Sequence, residues 1–170
     1  MLIEDLLVDS GRRSYAASPE MDALTEPGAL QEAQFIAGRL DAVRSQVWLL
    51  FDCRGALQIQ MGNTAIIVAK VVRRFAWQAK PTGGPTAWTI VGSEPAAAEG
   101  VWSLSLTFVP EGRLEIEAEA AEFFVGNVPG GDDAPPDFGE ADDEAIRAGL
   151  PGWQSIFEPV HAVFLDPAGA

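Results

Sequence analysis

The 170-residue chain holds one cysteine, Cys53, and one histidine, His161. An intramolecular disulfide is excluded, and a zinc site of the usual kind, which takes about four Cys or His ligands, finds at most two here. A lone cysteine also agrees with a reducing compartment. Bases are scarce as well: 11 Lys and Arg stand against 25 Asp and Glu, for a net charge of −14. Such a balance repels phosphate backbones and anionic headgroups, so neither nucleic acid nor a membrane is expected as a partner. No apolar run approaches the ~20 residues of a spanning helix. The opening Met1-Leu2-Ile3-Glu4-Asp5 puts acids where a secretory leader needs bases. A cytoplasmic protein is the expectation. Gly83-Gly84 and Gly130-Gly131 lack both the Lys-Ser/Thr of a phosphate-binding loop and the dinucleotide spacing, so no cofactor is expected.

What is present is bulk. Hydrophobic residues make up 48% of the chain and include five Trp and nine Phe, enough for a core in one domain over residues 1–170. Ala33, Ile36, Leu40, Val43 and Val47 recur at helical spacing after Thr25 and Pro27, which predicts a main helix over residues 27–45. Residues 47–53 form an apolar run that reads as a buried strand or as the tail of that helix, with strand preferred. Leu57, Ile59 and Met61 then alternate with polar residues before Gly62-Asn63, a hairpin signal leading into a long arm from Thr64.

The strictest alternation lies in residues 102–108 and 114–120, joined by Pro110-Glu111-Gly112. Trp102, Leu104, Leu106 and Phe108 share one face with Leu114, Ile116, Ala118 and Ala120, and the polar residues share the other. One apolar face and one wet face are typical of an antiparallel sheet backed by helices. The expectation is therefore an α+β fold: an antiparallel meander of about five or six strands, one main helix on one face, and a short C-terminal helix.

Residues 129–144 form an internal loop with three Pro, three Gly, seven acids and no base. Asp132, Asp133, Asp137, Glu140, Asp142, Asp143 and Glu144 thus equal half of the net charge. Their spacing does not follow the alternating Ca²⁺-loop pattern, so no metal is expected. Asp142, Asp143 and Glu144 also stand where a short helix begins, with Gly149 and Pro151 where it ends. Glu115, Glu117 and Glu119 make a second set of acids on the wet face, where Lys70, Arg73 and Arg74 on a neighbouring strand can pair with them. Trp153, beside Gly152, completes the candidate contact surface, and Trp88 is the other Trp expected outside the core.

A Cys53 and His161 nucleophile pair is the one catalytic combination available, and both residues read better as packing groups within apolar runs. The leading expectation is a non-catalytic, acidic protein-binding module that engages a basic partner. Small immunity and inhibitor proteins that block cationic toxins or nucleases share this composition. The alternatives are a small-ligand or hydrolytic domain with Asp52, Arg54 and His161 lining a cleft between sheet and main helix, and a homo-oligomeric component joined through a sheet edge.

Overall fold

The computed structural model describes residues 1–7, 21–131 and 134–168. Seven strands, β1 (Gln34–Asp41), β2 (Gln46–Asp52), β3 (Thr64–Ala79), β4 (Trp88–Ala98), β5 (Val101–Val109), β6 (Gly112–Asn127) and β7 (Glu158–Leu165), form one antiparallel sheet. A 3₁₀ turn, Ile3–Leu7, and one short helix, α1 (Asp143–Ala148), are the helical elements among the described residues.

The sheet closes on itself. Its order is β3-β2-β1-β4-β5-β6-β7, and β3 also pairs with β6, so six strands form a ring. β6 gives one edge to β3 along its whole length and divides the other between β5 and β7. The ring is narrowest in hydrogen bonding at β1 and β4, which pair only through Gln34 with Thr89 and Phe35 with Trp88. Aromatic rings reinforce this seam: the Trp77 centroid lies 5.4 Å from Phe35, 5.3 Å from Trp88 and 5.3 Å from Phe108. Such tilted and edge-on pairs each add about 0.5–1.5 kcal/mol beyond their buried area.

Two cores follow from this closure. Inside the ring, Leu49, Phe51, Ile67, Trp102, Leu106, Ile116 and Phe123 meet Ala23, Leu24, Ala29 and Leu30 from a turn-rich segment that plugs the interior. The Trp102 indole N–H donates to the Leu24 carbonyl at 2.9 Å, and backbone bonds join Gly28 to Ser93 and Glu32 to Ile90. Outside the ring, Trp48, Leu50, Ile66, Val68 and Phe124 are covered by Ile3, Leu6 and Phe157. β2 is thus buried on both faces, which is why its sequence is apolar without alternation.

The α+β expectation is overturned: among the described residues the fold is almost entirely sheet, with seven strands and no main helix. Residues 27–45 instead supply turns and β1. Gly28 at φ 78° and Glu32 at φ 65° are incompatible with a continuing helix. The apparent helical stripe comes from packing on two sides. Ala33 enters the inner core and Ile36 packs on the outer one, while Leu40 and Val43, at 58% and 97% exposure, belong to neither. The apolar face of β5 and β6 is covered by the ring and its plug, so it needs no helix. The expected hairpin arm at residues 57–61 is also absent: these residues form bends and irregular backbone, and of its apolar set only Ile59 is buried. In the β5–β6 hairpin the alternation holds through Ala118, after which Ala121 rather than Ala120 turns inward.

Candidate functional site

The loop at 129–144 leads into α1, and the local sequence explains both. The Asp137 carboxylate accepts from Gly139 N–H at 2.8 Å, closing a tight turn. Asp142 is the N-cap of α1, its carboxylate accepting from Ala145 N–H at 2.8 Å. Asp143 and Glu144 follow in the first turn, where acids are favoured, and Arg147 stands in the last, where a base is favoured. The helix stops at Gly149, one residue before Leu150-Pro151.

Arg54 fixes this segment to the ring. Its guanidinium bonds the Asp52 carboxylate at 2.6 Å and donates to the Gly149 carbonyl at 2.7 Å. Asp52 is almost wholly buried and also accepts the Arg54 backbone N–H at 3.0 Å. The pair lines a polar hollow of about 340 Å³ together with residues 128–131, Ala134 and residues 148–151.

A larger cleft of about 700 Å³ opens beside α1. Its floor is apolar, from Ile36 of β1, Leu50 of β2, Ile146, Leu150 and Trp153, with Phe138 and Pro85 on its walls. The volume falls within the ~300–1,000 Å³ usual for binding clefts. Trp153 is half-buried and meets Trp48 edge-on at 6.1 Å, so its position is set by the outer core. Two charged residues, Asp143 and Arg147, line the same cleft.

The candidate contact residues thus divide. Asp143 and Trp153 share the cleft, and Asp137, Glu140, Asp142 and Glu144 stand on the exposed turn and helix that form its border. Asp132 and Asp133 lie outside the described residues. Glu115, Glu117 and Glu119 lie apart, on β6, where all but Glu117 are ion-paired. Glu115 meets Arg74 at 2.9 Å and Arg113 at 2.7 Å, Glu119 meets Arg73 at 2.8 Å, and Glu122 pairs with Lys70. Three acids of β6, Glu115, Glu119 and Glu122, are thus paired with four bases, while Glu117 between them makes no ion pair among the described residues. By contrast, Asp137, Glu140, Asp142, Asp143 and Glu144 make no ion pair among the described residues.

The cleft expected between sheet and main helix is absent together with that helix. Asp52 and Arg54 share the polar hollow, whereas His161 is buried in β7 opposite Val125. Cys53 follows β2, and β3 and β6 lie between it and β7 in the sheet. Burial, with the Asp52 charge as a smaller contribution, pushes the Cys53 thiol far above its ordinary pKa. Trp88, expected at the surface, is half-buried in the seam.

Arg147 and Phe138 were not among the candidates read from sequence. The available signal was isolation: Arg147 is the only base in residues 114–170. Among the described residues it is also the only base without an ion-pair partner.

No family model and no curated protein matches the chain. Among solved structures it is similar to an uncharacterized protein from Neisseria gonorrhoeae, at 11% identity and a TM-score of 0.43, over 55% of this chain and 90% of that one.

Proposed function

We propose that this protein is a non-catalytic binding module that presents the acids of residues 137–144 to a basic protein partner, in the manner of an immunity or inhibitor protein. The observation that carries the reading is the contrast between its two acidic regions. On β6 Glu115, Glu119 and Glu122 are paired with Lys70, Arg73, Arg74 and Arg113, whereas the acids around α1 make no ion pair among the described residues. Unmatched carboxylates in water cost little, and they become favourable when a cationic surface approaches, which steers and accelerates encounter. The apolar cleft bordered by this charge offers Phe138, Leu150 and Trp153 to an apolar side chain of the partner. An apolar centre with a charged rim is the usual anatomy of a protein interface. The buried Cys53 thiol, held in its neutral form, and its place two strands away from β7 favour binding over nucleophilic chemistry.

The test is affinity capture from the native host at two salt concentrations. The wild-type chain is expected to retain a basic protein at low salt and lose it at moderate salt. The triple variant Glu140→Gln, Asp143→Asn, Glu144→Gln is expected to lose it at both, and Glu115→Gln with Glu119→Gln to keep it. Absence of any salt-sensitive basic partner, or its retention by the triple variant, overturns the reading.

A further inference from the structure

Asp143 and Arg147 stand four residues apart on α1, a spacing that places side chains on one helix face, and the two commonly pair there. Here both line the apolar cleft, yet no ion pair joins them. The cleft therefore presents one carboxylate and one guanidinium, side by side and each with its bonding capacity open, above a floor of aromatic and aliphatic groups. A ligand complementary to that arrangement carries an ammonium and a carboxylate at one end and an apolar group at the other.

We propose that the cleft beside α1 binds an apolar α-amino acid, with its ammonium at Asp143, its carboxylate at Arg147 and its side chain against Leu150 and Trp153. Three features support the assignment. The Arg147 guanidinium can take a carboxylate through two parallel N–H donors, the geometry for which arginine is best suited. Arg147 spends none of its charge on an internal pair, unlike every other described base. The cleft, at about 700 Å³, has room for an aromatic or branched side chain, and Trp153 and Leu50 tie its lining to the outer core. The inference goes beyond the protein-binding reading and stands on a different observation, since it depends on the two opposite charges in the cleft and not on the acidic excess around it.

The experiment is calorimetric titration of the full chain with L-phenylalanine, with phenethylamine, which lacks the carboxylate, and with 3-phenylpropionate, which lacks the ammonium. Saturable binding of L-phenylalanine is expected, and each analogue should bind at least about tenfold more weakly, the cost of losing one charge-assisted contact. Arg147→Gln should bring L-phenylalanine down to the affinity of phenethylamine, and Asp143→Asn should bring it down to that of 3-phenylpropionate. Both positions are exposed, so the variants keep the fold, which circular dichroism checks. No saturable binding of L-phenylalanine or L-leucine at millimolar concentration, equal binding of all three compounds, or binding unchanged by both substitutions would overturn the proposal. Failure of this titration leaves the capture of a basic protein unaffected, because that depends on Glu140 and Glu144 as well.

Discussion

The Arg54 guanidinium spans from the Asp52 carboxylate, 2.6 Å away, to the Gly149 carbonyl, so a single side chain joins the end of β2 to the end of α1. Removing it leaves Asp52 charged and enclosed. Arg54→Ala is expected to destabilise the fold by about 3–5 kcal/mol, the usual cost of breaking a buried pair from one side. Urea unfolding measures the loss. Arg54→Ala with Asp52→Ala should recover part of it, because the double variant leaves no buried charge.

A thiol as buried as that of Cys53 resists deprotonation, and the thiolate is the reactive form. Thiol reagents are expected to modify Cys53 only on unfolding, so the labelling rate should track the unfolded fraction across a denaturant series. The pKa is raised in the folded state. The folded chain therefore keeps a proton that the unfolded chain releases near pH 8.5, the ordinary value for cysteine. Its contribution to stability is complete below that pH and falls as pH rises above it, by at most about 1.4 kcal/mol per pH unit. Cys53→Ala should flatten the alkaline limb of the stability profile.

The Trp102 indole holds the interior plug through its bond to the Leu24 carbonyl, beside the backbone bonds at Gly28 and Glu32. Trp102→Phe removes the donor and part of the ring, and should cost about 2–4 kcal/mol from the orphaned carbonyl together with lost volume. Hydrogen exchange should show increased opening in residues 22–33 before it does in β3 or β6.

Gly126 of β6 pairs with Pro159 of β7, beside a register shift between the two strands. A Cβ there would meet the Glu158 carbonyl oxygen and come within 2.7 Å of the Phe157 ring. Gly126→Ala is expected to destabilise the fold by about 1–3 kcal/mol through overpacking. The matching control is Gly84→Ala, whose Cβ meets nothing within 4 Å. Thermal melts compare the two.

The ion-pair face is exposed, and its energetic weight is small. Glu119→Ala should change stability by less than about 1 kcal/mol, since exposed pairs are screened by water and salt. Raising ionic strength should shrink that difference further.

Several elements were legible in the sequence because their physics is local. Strict alternation places Trp102 to Phe108 and Leu114 to Ala118 on strands with the expected face inward. Acids followed by Gly149 and Pro151 mark the start and stop of α1. Lys70, Arg73 and Arg74 do pair across to β6. What failed was set by distant chain. Ile36 is apolar because the 3₁₀ turn, Phe157 and their neighbours build a second core outside the ring, and Ala33 because it enters the first, so one segment acquired a false helical period. The cleft was likewise invisible, since Ile36, Leu50, Phe138 and Trp153 come together only through sheet closure and the Arg54 tether. Charge counting identified the acidic segment but could not tell matched acids from unmatched ones, and this distinction now separates β6 from α1.

The pairing of β3 with β6 reaches from Thr64 with Gly126 to Ala79 with Gly112, and it has a consequence for the chain as it is made. During synthesis β1 to β3 emerge together, but the long outer edge of β3 has to wait for the last third of the chain before it finds its mate. Until then it is an open, partly apolar template for any passing strand, including one from a second nascent copy. The yield of correctly assembled protein is therefore a race between elongation through Asn127 and intermolecular pairing, and slow translation of the stretch after β3 would favour the losing side.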